Sequence, residues 1–153
     1  MTARVLVVDD ILSNVKLLEA KLSAEYFEVM TAFNGLECLA KMAETIPDIV
    51  LLDVMMPGMD GFEVCRTLRA TTALARIPVI VLTGLDDTSS IEEAYQAGAT
   101  DFVTKPINST LLAYRVRYAL RAARLIDDIE KHRARDRKST RLNSSHVKRS
   151  RMP

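Results

Sequence analysis

The chain has 153 residues, enough for one domain with a proper core but not for a second enzyme domain beside it, and 48% hydrophobic with 27% charged residues is ordinary soluble composition. No apolar run approaches the roughly 18 residues of a membrane span, and the start Met1-Thr2-Ala3-Arg4 lacks a signal-peptide profile, so a cytoplasmic protein without a membrane partner is expected. The net charge of +1 conceals an asymmetry: residues 133–153 carry eight of the 21 basic side chains and one of the 20 acidic ones, leaving 13 basic and 19 acidic residues in an acidic body that argues against direct nucleic-acid binding.

The first β-rich segment is Arg4 to Val8, followed by Val15, Leu18 and Leu22 at helical spacing. Further β-rich segments are Glu28 to Thr31, Ile49 to Leu52, Val79 to Leu82 and Asp101 to Val103, with helix-length stretches between them. That alternation reads as α/β with a parallel sheet. The first, third and fourth segments are nearly continuous Val/Ile/Leu, as central strands covered on both faces require, whereas the second and fifth are more polar and belong further out. Ile91, Ala94 and Tyr95 mark another helix, with Gly98 placed to end it. Cys38 and Cys65 lie far apart without a CxxC partner and read as buried packing thiols, while His132 and His146 fall beyond the patterned region, which disfavours zinc and histidine chemistry.

Asn108 can cap a last helix after Pro106, expected to run to about His132. Along it Leu112, Val116, Ala119, Ala123 and Ile126 advance by alternating steps of four and three, the spacing of a coiled-coil seam. This divides the chain into a body over residues 1–125, a helical extension or linker over 126–137, and a tail over 138–153. The tail has no periodicity and almost no apolar content, reads as non-native cloning or adapter text, and is left out of the fold as disordered.

In a parallel α/β sheet the carboxyl ends of the strands share one edge, where ligands bind. Here the first strand ends in Asp9-Asp10, the third in Asp53 and the fourth in Thr83-Gly84, and the fifth is followed by Thr104-Lys105-Pro106. Three carboxylates packed together repel, so a proton or a cation must neutralise them. Hard oxygen donors without His or Cys select Mg²⁺. With a lysine and a hydroxyl added, the set is a cradle for a phosphoryl group, and Asp53 is the candidate nucleophile. Met55, Met56 and Met59 read as packing or loop filler, and Lys105-Pro106 as a candidate cis bond.

The segments Val5-Leu6-Val7-Val8-Asp9-Asp10, Leu51-Leu52-Asp53-Val54-Met55-Met56-Pro57-Gly58-Met59-Asp60-Gly61, Ile80-Val81-Leu82-Thr83-Gly84 and Asp101-Phe102-Val103-Thr104-Lys105-Pro106 together resemble the receiver domain of two-component response regulators, over residues 3 to 125. The resemblance implies a flavodoxin-like (CheY-like) fold, five parallel strands in the order 2-1-3-4-5 sandwiched by five helices. It implies that Asp53 accepts a phosphoryl group from a sensor histidine kinase or a histidine phosphotransfer protein. Asp10, Asp53 and the Met55 carbonyl would bind Mg²⁺ directly, with Asp9 acting through water. Thr83 and Lys105 would contact the phosphoryl oxygens, and Phe102 would be the switch aromatic that turns inward with Thr83, here without the hydroxyl of the equally common Tyr. Gly84 would leave access to the phosphate open. A homodimer through the fourth helix, fifth strand and last helix is a further implication.

The opening Arg4 to Ile11 and the helix text Leu17-Leu18-Glu19-Ala20-Lys21-Leu22 also look like the first receiver of PleD-type diguanylate cyclases, which implies a diguanylate cyclase-like output domain not included in this stretch. On this reading the chain is a phosphoacceptor switch rather than an output enzyme. Two other readings fit less well. A haloacid-dehalogenase-type phosphohydrolase uses an Asp-x-Asp pair at one strand end, whereas Asp9-Asp10 are adjacent and on a different strand from Asp53. A pseudo-receiver that only binds partners predicts gaps in the acidic set, and none occurs.

Overall fold

The computed structural model describes residues 2–84 and 88–151, with side chains through residue 135. Five strands, β1 (Arg4–Val8), β2 (Glu28–Ala32), β3 (Ile49–Asp53), β4 (Val79–Thr83) and β5 (Asp101–Thr104), form one parallel sheet in the order β2-β1-β3-β4-β5. The polar segments β2 and β5 take the two edges, as their composition requires. β3 and β4 are buried along their whole length, because helices cover both faces of a parallel sheet. Each strand after the first runs one residue further than apolar content alone indicated, so Asp53 and Thr83 are the last residues of their strands.

The helices are α1 (Leu12–Ala24), α2 (Gly35–Glu44), α3 (Gly61–Ala70), α4 (Thr88–Gln96) and α5 (Ser109–Arg151), with a 3-10 turn at Thr72–Leu74. Alternate strand residues feed two cores. On one face Leu6, Val8, Val50, Leu52 and Val81 pack with Cys38 and Met42 of α2, Val64, Cys65 and Leu68 of α3, and Ala94 of α4. On the other, Val5, Val7, Leu51, Ile80 and Leu82 pack with Leu18 and Leu22 of α1 and with Leu112, Val116, Ala119 and Leu120 of α5. Both cysteines are free and fully buried, and burial pushes the Cys38 thiol up to about 12, so packing is their role.

Caps match the local sequence. Asn34 Oδ1 accepts the Glu37 amide, Asp60 Oδ1 the Glu63 amide and Asn108 Oδ1 the Leu111 amide. Gly98, at φ +101°, closes α4 in the left-handed conformation that other residues rarely adopt. Arg69 locks that closure: its guanidinium donates to the carbonyls of Gly98 (2.8 Å), Ala75 (3.1 Å) and Ile77 (2.6 Å). These acceptors come from two segments, the turn after α4 and the stretch Ala75–Ile77 before β4, so one side chain ties the end of α4 to the approach to β4. Arg69→Met, which keeps most of the stem but none of the donors, should lower stability by about 2 kcal/mol. Urea unfolding checks this, and a midpoint equal to that of the parent would mean the three carbonyls find other donors.

Two expectations about the last helix need correction. Leu112, Val116 and Ala119 are at most 7% exposed and belong to the sheet core, so the first three positions of the supposed coiled-coil seam face their own domain. A period of 3.6 facing a core and one of 3.5 facing a partner diverge too little over two heptads to be told apart. The helix also runs through Arg151 rather than to about His132. No Pro or Gly stands between Pro106 and Pro153, so nothing in the local backbone chemistry interrupts it. The chain divides into two compact units, Met1–Leu120 and Arg121–Pro153. The first ends at Leu120, the last buried residue of α5 among those whose side chains are described. Among the described residues no helix is long and apolar enough to cross a membrane.

Candidate functional site

The sheet topology delivers the predicted residues to one edge. Asp9 follows β1, Asp53 ends β3 and Thr83 ends β4, and the Lys105 amide donates to the Thr83 carbonyl at 2.8 Å, which anchors the lysine backbone to the end of β4. Carboxylate oxygens of Asp9, Asp10 and Asp53 all lie within 4.8 Å of one another. Asp9 (1% exposed) and Asp53 (2%) are buried, and Asp10 is open to solvent.

Asp53 sits among opposing influences. Lys105 Nζ lies 3.0 Å from its Oδ1. Burial is the largest effect and raises the pKa of the carboxyl above the ordinary value; the Lys105 hydrogen bond opposes it, the Asp9 charge adds to it, and the lysine charge and a Met55 backbone hydrogen bond pull it back. Asp9 is fixed by the start of α1: Oδ1 accepts the Ile11 amide at 2.9 Å and Oδ2 accepts Asn14 Nδ2 at 3.2 Å. The adjacent acids therefore differ, Asp9 held by the protein and Asp10 facing water. Three convergent hard-oxygen donors with a single adjoining lysine are a donor set that fits Mg²⁺ and not a softer metal.

Thr83 is 5% exposed at the rim. Beside it, a Cβ built on Gly84 meets no described atom within 4 Å. Phe102 is half-buried against the core and meets the Tyr95 ring edge-on, with centroids 6.1 Å apart at 88°. The Lys105–Pro106 bond is cis. Of the three methionines, Met56 is buried and Met59 packs against the core, while Met55, 66% exposed in the loop after β3, is loop filler.

The sequence alone gives Asn14 no role and shows Gly61 only as the last residue of a matching segment. Asn14 is one of two polar residues, with Ser13, in the first turn of α1, a weak signal for a contact back to the strand end. A Cβ on Gly61 would stand 2.5 Å from the Asp53 carbonyl oxygen, a crowding that only the folded chain reveals. A cleft of about 280 Å³ opens beside the site between α1 and the loop after β5, lined by Asp9, Asn14, Leu17, Lys21, Lys105 and Ile107.

Comparison with known proteins agrees with this geometry. The family model of the response regulator receiver domain matches residues 5–117. The chain is 51% identical over 138 residues to the response regulator PleD of Caulobacter vibrioides, covering 90% of this chain and 30% of that protein. It is 40% identical over 121 residues to the DNA-binding response regulator MtrA of Mycobacterium tuberculosis, covering 79% of this chain and 52% of MtrA. The chain thus spans about half or less of these relatives. Among solved structures, the chemotaxis protein CheY4 of Vibrio cholerae superposes with a TM-score of 0.75 at 32% identity, over 78% of this chain and 99% of CheY4. NtrX of Brucella abortus gives 0.80 at 29% identity, over 87% of this chain and 30% of NtrX.

Proposed function

The chain belongs to the response regulator receiver family, and on that premise we propose that it is a phosphorylation-controlled switch in which Asp53 takes a phosphoryl group from a sensor histidine kinase or a histidine phosphotransfer protein. The observation that carries this reading is the convergence of the Asp9, Asp10 and Asp53 carboxylates with Lys105 Nζ 3.0 Å from Asp53. A carboxylate oxygen of Asp53 attacks phosphorus in line; the phosphorus–nitrogen bond of the donor histidine breaks, and the imidazole leaves with the bonding pair and takes up a proton. Lys105 pairs with the incoming phosphoryl oxygens, and Thr83 donates its hydroxyl to one of them. Asp10, Asp53 and the Met55 carbonyl, with Asp9 acting through water, would hold Mg²⁺, which supplies the charge that lets a phosphoryl group approach an acidic site. Asn14 and the Ile11 amide keep Asp9 oriented for that role.

The cleft between α1 and the loop after β5 suits the donor, since Leu17 and Ile107 give a helical partner apolar contact beside Asp9 and Lys105. Readout falls to the face formed by α4, β5 and α5. Thr83 drawn toward the phosphate frees the space into which the half-buried Phe102 turns, ending its edge contact with Tyr95. On the same face Arg115 Nη1 pairs with Asp101 at 2.9 Å, joining β5 to α5. That face would contact a second receiver or an output domain, diguanylate cyclase-like on the PleD resemblance. The chain acts as a phosphoacceptor that assists its own phosphorylation and dephosphorylation, in the cytoplasm where such donors work.

Incubation with acetyl phosphate and Mg²⁺ followed by intact-mass measurement tests the proposal. The parent chain should gain one phosphoryl group and Asp53→Asn none. No adduct on the parent, or equal adducts on both, would overturn it.

A further inference from the structure

The cleft between α1 and the loop after β5 shares Asp9 and Lys105 with the phosphoryl site and then continues away from it. Beyond those two residues its walls are apolar, with Leu17 and Leu18 on the α1 side and Pro106 and Ile107 on the loop side. Leu18 is buried and Ile107 packs against the same core, so these walls are fixed, whereas Leu17, 56% exposed, forms the lip. The one carboxylate in the lining is that of Asp9, and both of its oxygens are engaged, by the Ile11 amide and by Asn14 Nδ2. Two ammonium groups, Lys105 at the phosphoryl site and Lys21 about two helical turns beyond Asn14, make the lining net positive.

Apolar walls, cationic groups and an opening onto a nucleophile select a small anionic donor with a hydrocarbon body. Acyl phosphates have this build, a phosphoryl group joined through a carboxyl oxygen to an alkyl chain. Lys105 Nζ stands 3.0 Å from Asp53 Oδ1, so a phosphoryl group paired with the lysine lies beside the nucleophile, and the cleft is the adjoining space for the chain. An Asp53 oxygen forms a bond to phosphorus while the bond from phosphorus to the acyl oxygen breaks. That oxygen keeps the bonding pair and leaves as a carboxylate, so no proton is needed.

We infer that the cleft is an acyl subsite, through which the chain takes phosphoryl groups directly from acyl phosphates and favours propionyl and butyryl phosphate over acetyl phosphate. The subsite rests on Asp53 as the phosphoacceptor and adds the donor's hydrocarbon part to what the site reads.

Rates of phosphorylation of the full chain by acetyl, propionyl and butyryl phosphate, each with Mg²⁺ and followed by intact mass, test the subsite. The three donors release carboxylic acids of closely similar acidity, so their intrinsic reactivities match. Full burial of a methylene corresponds to about fourfold in rate, and in a half-open cleft each added methylene should raise the second-order rate constant about two- to threefold. Leu17→Gln, which makes the lip polar at a half-exposed position, should at least halve the butyryl-to-acetyl ratio. Leu36→Gln, at a residue of α2 that is 72% exposed and outside the cleft, should keep the parent ratio. Equal rate constants for the three donors in the parent, a ratio that Leu17→Gln leaves unchanged, or one that Leu36→Gln lowers equally would overturn the subsite and leave the switch standing. No phosphorylation of the parent by any of the three donors would overturn both.

Discussion

Asp53→Asn is expected to melt above the parent in metal-free buffer at neutral pH. The reason lies in the balance at the site. Asp53 is 2% exposed, and its carboxylate shares a space of less than 4.8 Å with those of Asp9 and Asp10. Burial raises its pKa above the ordinary value, and the contact with Lys105 offsets this only in part. A carboxyl whose pKa is higher in the folded than in the unfolded chain destabilises the fold when ionised. The penalty is complete above the folded pKa and is relieved as pH falls through it toward the unfolded value of 3.8. The amide has no charge to desolvate, so the variant should gain on the order of 1 kcal/mol at neutral pH, or about 4 °C in melting temperature. The gap between the two proteins should close as pH is lowered through that window. Adding Mg²⁺ should raise the parent's melting temperature more than the variant's, and chelation should remove the difference in response. Thermal melts at a series of pH values check this. A variant less stable than the parent at neutral pH would mean that the Lys105 pairing outweighs burial.

The residues that make this possible were legible in the sequence to different degrees. Asp9, Asp10, Asp53, Thr83 and Lys105 could be gathered without coordinates, because a parallel sheet places every strand's carboxyl end along one edge. Edge and central strands could also be told apart, since Val/Ile/Leu runs such as Val79 to Leu82 survive only where both faces are covered. Asn14 and Arg69 were not recoverable, because their acceptors, the Asp9 carboxylate and the Gly98, Ala75 and Ile77 carbonyls, are assembled by tertiary packing. The a/d spacing of α5 misled for a different reason: Leu112, Val116 and Ala119 have the right period for a partner but are used by their own sheet.

Gly61→Ala should do more damage than its size suggests, both to stability and to phosphoryl acceptance. Gly61 is the first residue of α3, directly after the capping Asp60, and its amide donates to the Val54 carbonyl at 3.1 Å. A Cβ at this position would lie 2.5 Å from the Asp53 carbonyl oxygen and 2.8 Å from Val54 Cα. Both are backbone atoms, so no side chain can swing away, and either α3 or the end of β3 must move. Overpacking of this kind costs about 3 kcal/mol. Moving the end of β3 also moves Asp53 relative to Lys105 and the Asp9–Asp10 pair, and a displacement of about 1 Å in a reacting group can slow a reaction on the order of 100-fold. Gly84→Ala is the matched control. Its Cβ meets no described atom within 4 Å, so its stability should change by less than about 0.5 kcal/mol, while acceptance slows only as far as the added methyl narrows the approach. Urea unfolding and acetyl phosphate acceptance rates on both variants separate the two effects. If Gly61→Ala behaves like Gly84→Ala in both measurements, the close packing of α3 against the end of β3 does not hold Asp53 in place, and the positioning of the acceptor rests on the sheet alone.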